Sequence, residues 1–152
     1  MDFSAIDTYF PGMDICVNGT ASASSELYGA YLASRAFDGT TNYWHSTDPA
    51  TLPEWIKYDL GEGVTRTAAK YTICPYNGNY GCPTEWKFQG SNDDLNWDDL
   101  DTQTEQTLIP EQKNVYDSFV NITAYRYYRW LLSAIYDVAS FVIIELEIME
   151  AP

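Results

Sequence analysis

The sequence predicts an all-β sandwich, and three observations carry that expectation. Short stretches alternate apolar with polar residues, polar turns rich in Gly, Asn and Asp separate them, and no long helical period or internal repeat runs through the chain. At 152 residues the chain is long enough for one domain with a proper core and too short for two comfortable ones. A single domain over residues 1–152 is therefore expected.

Residues 1–21 read as a lead-in, with a short first strand over Asp14–Val17 after the Pro11-Gly12 turn. The small and hydroxyl residues of Gly19–Phe37 predict a loop with a short helical turn before Ala36. Trp55-Ile56-Lys57-Tyr58-Asp59-Leu60 alternates strictly and is closed by Gly61 and Gly63, the signature of a strand with one buried face. Ala69–Cys74 and Trp86–Phe88 predict the next two strands. In the run SNDDLNW that follows, Asp93, Asp94, Asp98 and Asp99 lack the spacing of a calcium loop, so a solvated turn is expected. Residues Thr102–Lys113 predict a surface connection or edge strand, and Val115–Phe119 and Ile122 lead to the strongest β segment, Tyr125–Ser133. There Tyr125, Tyr127, Arg129 and Leu131 share one face, while Arg126, Tyr128, Trp130 and Leu132 share the other. The last strand, Phe141–Ile148, is expected to bury Val142, Ile144, Leu146 and Ile148 and to project Glu145 and Glu147 from the opposite side.

Composition narrows the function. The chain is 45% hydrophobic and 16% aromatic, with thirteen tyrosines, which is too apolar for a disordered segment. Its net charge of -14 would be repelled by phosphate backbones and anionic headgroups, so neither nucleic acid nor an anionic membrane is an expected partner. No run of eighteen apolar residues is present, and the N-terminus has acids where a signal peptide carries bases. An export signal has been trimmed, the protein leaves by another route, or it never leaves. Of three cysteines, Cys74 and Cys82 bracket the tight loop PYNGNYG and either close it as a disulfide or remain thiols. Cys16 is expected to be a small buried apolar residue, and one histidine without a paired CxxC argues against a zinc site.

The chain is organised around Ala36–Gly61. Its Asp38-Gly39 turn, followed by hydroxyl and amide side chains, can aim a carboxylate and several carbonyls at one point, which suits a hard cation such as calcium. The alternative is an Asp-Gly turn whose carboxylate caps backbone N–H groups without metal.

Together AFDG, Trp44-His45-Ser46, WIKYDLG, GSNDDLNW, YRYYRWLL and IIELEI resemble the landmarks of the discoidin domain, also called the coagulation-factor C-type domain, which family 32 carbohydrate-binding modules share. The resemblance covers residues 22–150. It implies a galactose-binding-like jelly-roll β-sandwich of about eight main strands, with a structural calcium and a ligand site made by loops at one end. The implied metal ligands are the Arg35 and Thr40 carbonyls, Asp38, Thr41 or Asn42, and Glu145. Here the Asp38-to-Trp44 spacing is one residue shorter than the family's, and Asn42 stands where threonine is common.

A sugar presents a flat apolar face edged with hydroxyls, so its site needs exposed rings and planar hydrogen-bonding side chains. The candidates are His45, directly after Trp44; Tyr76, Asn77, Asn79 and Tyr80 on the middle loop between Cys74 and Cys82; and Tyr136 and Asp137 on the last loop. Relatives carry an arginine beside the proline of the middle loop, where Tyr76 follows Pro75, so galactose specificity is not expected. Trp44, Trp55, Trp86, Trp97 and Trp130 are expected in the core, and His45 is open to either a ligand contact or a structural role. Asn18-Gly19-Thr20 and Asn121-Ile122-Thr123 match glycosylation acceptors. The expected function is non-catalytic recognition of a glycan or cell-surface polysaccharide, at an extracellular or surface-exposed site and within a larger multidomain protein or assembly. The alternative is an adhesion or protein-interaction module of a cell-surface or virion protein, and a third class is an enzyme on the same scaffold.

Overall fold

In a computed structural model describing residues 12–78, 80–136 and 140–152, the chain forms two antiparallel sheets packed face to face. The strands are β1 (Thr20–Ala23), β2 (Trp44–His45), β3 (Glu54–Asp59), β4 (Ala68–Pro75), β5 (Pro83–Ser91), β6 (Asp98–Gln103), β7 (Asn114–Tyr116), β8 (Tyr127–Ile135) and β9 (Val142–Glu150). One sheet runs β1-β3-β8-β5-β6 and the other β2-β9-β4-β7, so neighbours in space are mostly distant in sequence. Alternation sets the faces: Ile56 and Tyr58 of β3 point inward with Tyr128, Trp130 and Leu132 of β8. Between the sheets, Phe88 stacks on Tyr128 at 5.5 Å, Tyr71 lies 4.4 Å from Phe88, and the Trp86 indole N–H donates to the Tyr71 hydroxyl at 2.9 Å. Burial of that hydroxyl, which donates to Asp101 at 2.7 Å, pushes the Tyr71 phenol far above its usual range.

Several expectations change. Asp14 makes only an isolated bridge to Met149, and the first strand is Thr20–Ala23, an edge strand beside β3 whose Thr, Ala and Ser side chains carry little apolar contrast. Trp55 and Trp97 are not core residues. They lie half-buried on the outer face of the five-stranded sheet, with Lys57 Nζ 5.0 Å above Trp55 and the Arg129 guanidinium 4.1 Å above Trp97. Cys74 and Cys82 are separate buried thiols, as is Cys16. Cys74 pairs with Glu145 in the four-stranded sheet, whereas Cys82 precedes β5 of the other sheet. The acidic run after β5 is a solvated turn, in which Asp93 accepts from the N–H groups of Leu95 and Asn96.

The largest departure is in β9. Cys74 pairs with Glu145 but Pro75 pairs with Ile143, so Ile144 is an extra residue opposite β4. Such a bulge reverses which side chains face the core. Ile143, Leu146 and Ile148 are fully buried, and Ile144, expected on that face, instead joins Glu145 and Glu147 along an outer groove.

Candidate functional site

The loops that build the site are tied to β2 and β9. Ala33 and Ala36, buried in a 3-10 turn over Ala33–Phe37, seat that turn against β9, and Phe37 packs 5.0 Å from Tyr58. The turn delivers Asp38 and Gly39 to the outer face of β9. Gly39 adopts φ +68, a left-handed conformation that favours glycine, and its N–H reaches the Glu145 carboxylate at 3.1 Å. Asp38 turns back on its own loop, accepting from the Thr40 N–H at 2.9 Å, the Thr40 hydroxyl at 2.7 Å and the Asn42 amide at 3.3 Å. Those bonds hold its carboxyl below the usual range despite some desolvation. Glu145 is the reverse case. Burial, with Asp14, Asp38 and Glu147 nearby, pushes its carboxyl up to about 8 against the Gly39 bond that favours the charged form. The expected metal ligands Asp38 and Glu145 thus meet across one turn, with Thr40, Thr41 and Asn42 on it and Arg35 just before it. Among the described residues, no cluster of three His, Cys, Asp or Glu side chains is arranged to hold a metal.

A second assembly lies next to this turn. Ser25 anchors it from beneath, accepting from Thr47 N–H at 3.0 Å, donating to Glu54 at 2.8 Å and offering its carbonyl to the Trp44 indole at 2.9 Å. Glu54, itself buried, also accepts from Ser24 and from Thr51 N–H, so one carboxylate gathers two loops. Leu27 N–H then donates to the His45 carbonyl at 2.8 Å, which carries the chain along β2 and sets Tyr31 beside His45. From the other side, Tyr76 N–H donates to the Val142 carbonyl and Val142 N–H donates to Gly81, strapping the middle loop to the start of β9. Tyr136 N–H donates to Cys82, placing the exposed Tyr136 beside that loop.

The result is a row of aromatic rings at one rim of the sandwich. Tyr31 stacks on Tyr43 at 5.1 Å, Tyr43 packs on Tyr76 at 4.7 Å, and His45 lies 5.7 Å from Tyr31 and 6.2 Å from Tyr80. Contact with the Tyr31 hydroxyl, followed by burial, raises the Tyr43 phenol, so Tyr43 keeps its hydroxyl proton at neutral pH. His45 is 7% exposed, and its Nδ1 lies 2.7 Å from the Ser46 carbonyl. A carbonyl only accepts, so Nδ1 carries the proton and Nε2 of the neutral ring is an acceptor. The neighbouring Ser46 hydroxyl is engaged elsewhere, donating to the Thr47 carbonyl and accepting from Phe141 N–H.

Of the expected sugar-site residues, the structure brings His45, Tyr76 and Tyr80 into one cluster and sets Tyr136 and the exposed Asn77 on its flank. Asn79 and Asp137 lie outside the described residues. Sequence reasoning missed Tyr31 and Tyr43. Tyr43 had a signal, since it shares strand parity with His45 on either side of the buried Trp44. Tyr31 sits in an irregular segment that carries no periodic signal.

The sequence profile of the F5/8 type C domain matches residues 20–137. No curated protein matches the chain. Among solved structures, chitosan-binding module 1 from a chitosanase/glucanase of Paenibacillus sp. IK-5 is similar at 26% identity and TM-score 0.68, covering 90% of this chain and 98% of that one. The CpGH89CBM32-5 module of Clostridium perfringens, in complex with GalNAc-β-1,3-galactose, is similar at 23% identity and TM-score 0.75, covering 88% and 96%. The family 32 carbohydrate-binding module of C. perfringens NanJ, in complex with galactose, follows at 24% identity and TM-score 0.67, covering 87% and 93%. For the two Clostridium modules the likeness is one of fold.

Proposed function

The chain belongs to the F5/8 type C domain family, and from that premise we propose that it is a non-catalytic carbohydrate-binding module that recognises a glycan at the aromatic rim. The observation that carries the reading is the row Tyr80, His45, Tyr31, Tyr43 and Tyr76, joined ring to ring. Tyrosine faces suit the apolar face of a pyranose, their hydroxyls donate and accept, and His45 Nε2 accepts from a sugar hydroxyl. Catalysis is not part of the proposal. His45 Nδ1 is committed to the Ser46 carbonyl and the Ser46 hydroxyl to Phe141 and Thr47, so this Ser-His pair makes no nucleophile. The modules that share the fold are named for chitosan binding or occur in complex with galactose or GalNAc-β-1,3-galactose, which supports a glycan as ligand.

Calcium belongs to the same proposal. The residues fit it: Asp38 and Glu145 are carboxylates on two sides of one turn, and a cation between them would offset the burial and the neighbouring carboxylates that raise the Glu145 carboxyl. The ion would be held by those two, by the Arg35 and Thr40 carbonyls and by Thr41 or Asn42, and would fix the loop against the last strand. Of the three bonds that Asp38 accepts within the turn, the one from the Asn42 amide, at 3.3 Å, is the longest and the one to yield. A glycan array probed with the wild type, His45→Ala and Tyr136→Ala tests the recognition reading. Binding by the wild type that both substitutions weaken supports it, whereas silence across the array favours a protein partner at the same loops.

A further inference from the structure

We infer that recognition continues past the rim into a second subsite, and that this subsite takes a sugar unit bearing a protonated amine. The inference rests on the glycan-binding reading and extends it to a chain of amino sugars. A groove of about 480 Å³ runs along the outer face of the four-stranded sheet, floored by Ile144, Glu145 and Glu147 and walled by Tyr43, Tyr76 and Glu111. That volume lies within the range of small-ligand sites. Tyr43 and Tyr76 belong to both rim and groove, so the two form one surface. A saccharide whose terminal unit sits at His45 meets Tyr43 and Tyr76 on its way to the groove. The groove exists because the β9 bulge turns Ile144 outward and because Gly39, bonded to Glu145, brings its loop up as a wall.

Charge selects the occupant. Among the described residues that line the groove, Glu111 and Glu147 stand against a single base, Lys113, which is already bonded to Glu147 at 2.8 Å. The other Glu147 oxygen accepts from the Thr72 hydroxyl. The exposed Glu111 carboxylate has no partner among the described residues, since the structure bonds only its backbone N–H, to the Pro75 carbonyl. Glu111 is therefore the acid open to an incoming ammonium, and it stays open if calcium engages Glu145. The chain's net charge of -14 attracts a cationic glycan and repels uronates or sulfated sugars.

Calorimetry with glucosamine, a β-1,4-linked glucosamine trimer and the N-acetylated trimer tests this, on wild type and Glu111→Gln at low and high salt. The expected result is a trimer bound about tenfold more tightly than the monomer, an advantage cut by N-acetylation, by salt and by Glu111→Gln. The melting temperature of Glu111→Gln shows that the fold is intact. Equal affinities for monomer and trimer, an N-acetylated trimer bound as well as the free amine, or a ratio unchanged by Glu111→Gln each overturns the inference. If these sugars fail but the array finds another glycan lost on His45→Ala, the groove proposal falls alone. If the array is silent too, the underlying reading falls with it.

Discussion

Replacing Glu145 by glutamine separates the metal lock from ordinary packing, because the amide keeps an acceptor for the Gly39 N–H and loses the ionisation. Glu145 titrates ordinarily at 4.5 and in the folded protein near 8, raised chiefly by burial. A carboxyl with the higher pKa in the folded state binds its proton more tightly there than in the unfolded chain. In metal-free protein this group therefore lowers stability as pH rises from 4.5 through about 8, and the loss then levels off. At about 1.4 kcal/mol per pH unit, the gap sets a ceiling of roughly 5 kcal/mol. Urea midpoints from about pH 4 to about pH 9 in chelator read the effect directly. The wild type is expected to fall relative to Glu145→Gln across that window, leaving the variant the more stable protein at the alkaline end. Adding calcium should reverse the order, because the cation stabilises an ionised Glu145 and gains little from an amide. Parallel pH profiles for the two proteins, with calcium moving both equally, would refute the reasoning.

Three further outcomes follow from geometry. Gly81→Ala puts a Cβ 2.5 Å from Val142 N at a φ of +67, so it should cost about 1–3 kcal/mol in thermal melts and weaken glycan binding by loosening the Tyr76–Tyr80 loop. Phe88→Ala empties the centre of the aromatic core and should cost about 3–5 kcal/mol in denaturant unfolding. Asp59, held below the usual carboxylate range by Arg126 at 2.7 Å, forms a part-exposed pair that contributes little to stability. That contribution is present above the ordinary aspartate pKa and disappears as pH falls through the depressed one. A double-mutant cycle with Asp59→Asn and Arg126→Gln, run above and below that window, should show coupling only in the former.

Where the chain alternates without interruption, the sequence was enough. Ile56 and Tyr58 inward on β3, and Tyr128, Trp130 and Leu132 inward on β8, follow from period-2 spacing alone. The same parity also placed Trp55 outward with Lys57, and reading tryptophan as core by residue type overrode a signal already in the strand. The β9 face was not legible, because the bulge at Ile144 inserts one residue and reverses a pattern that looks regular from Val142 to Ile148. β1 was missed because an edge strand of Thr, Ala and Ser has little hydrophobic amplitude, and β2 because it has only two residues. For the site, the Asp-Gly turn was legible from local chemistry and its meeting with Glu145 only from the family resemblance, since 106 residues separate the bonded groups. Tyr31 reaches His45 through the backbone bonds of an irregular loop, which no spacing rule encodes.

A crystal structure with a bound oligosaccharide tests the central claim most directly. The account predicts a sugar ring against the Tyr31, Tyr43 and Tyr80 side chains, with a hydroxyl donating to His45 Nε2 and the next unit directed toward Tyr76. A sugar seated instead on the outer face of the five-stranded sheet, over Trp55 and Trp97, with the aromatic rim empty, would contradict it.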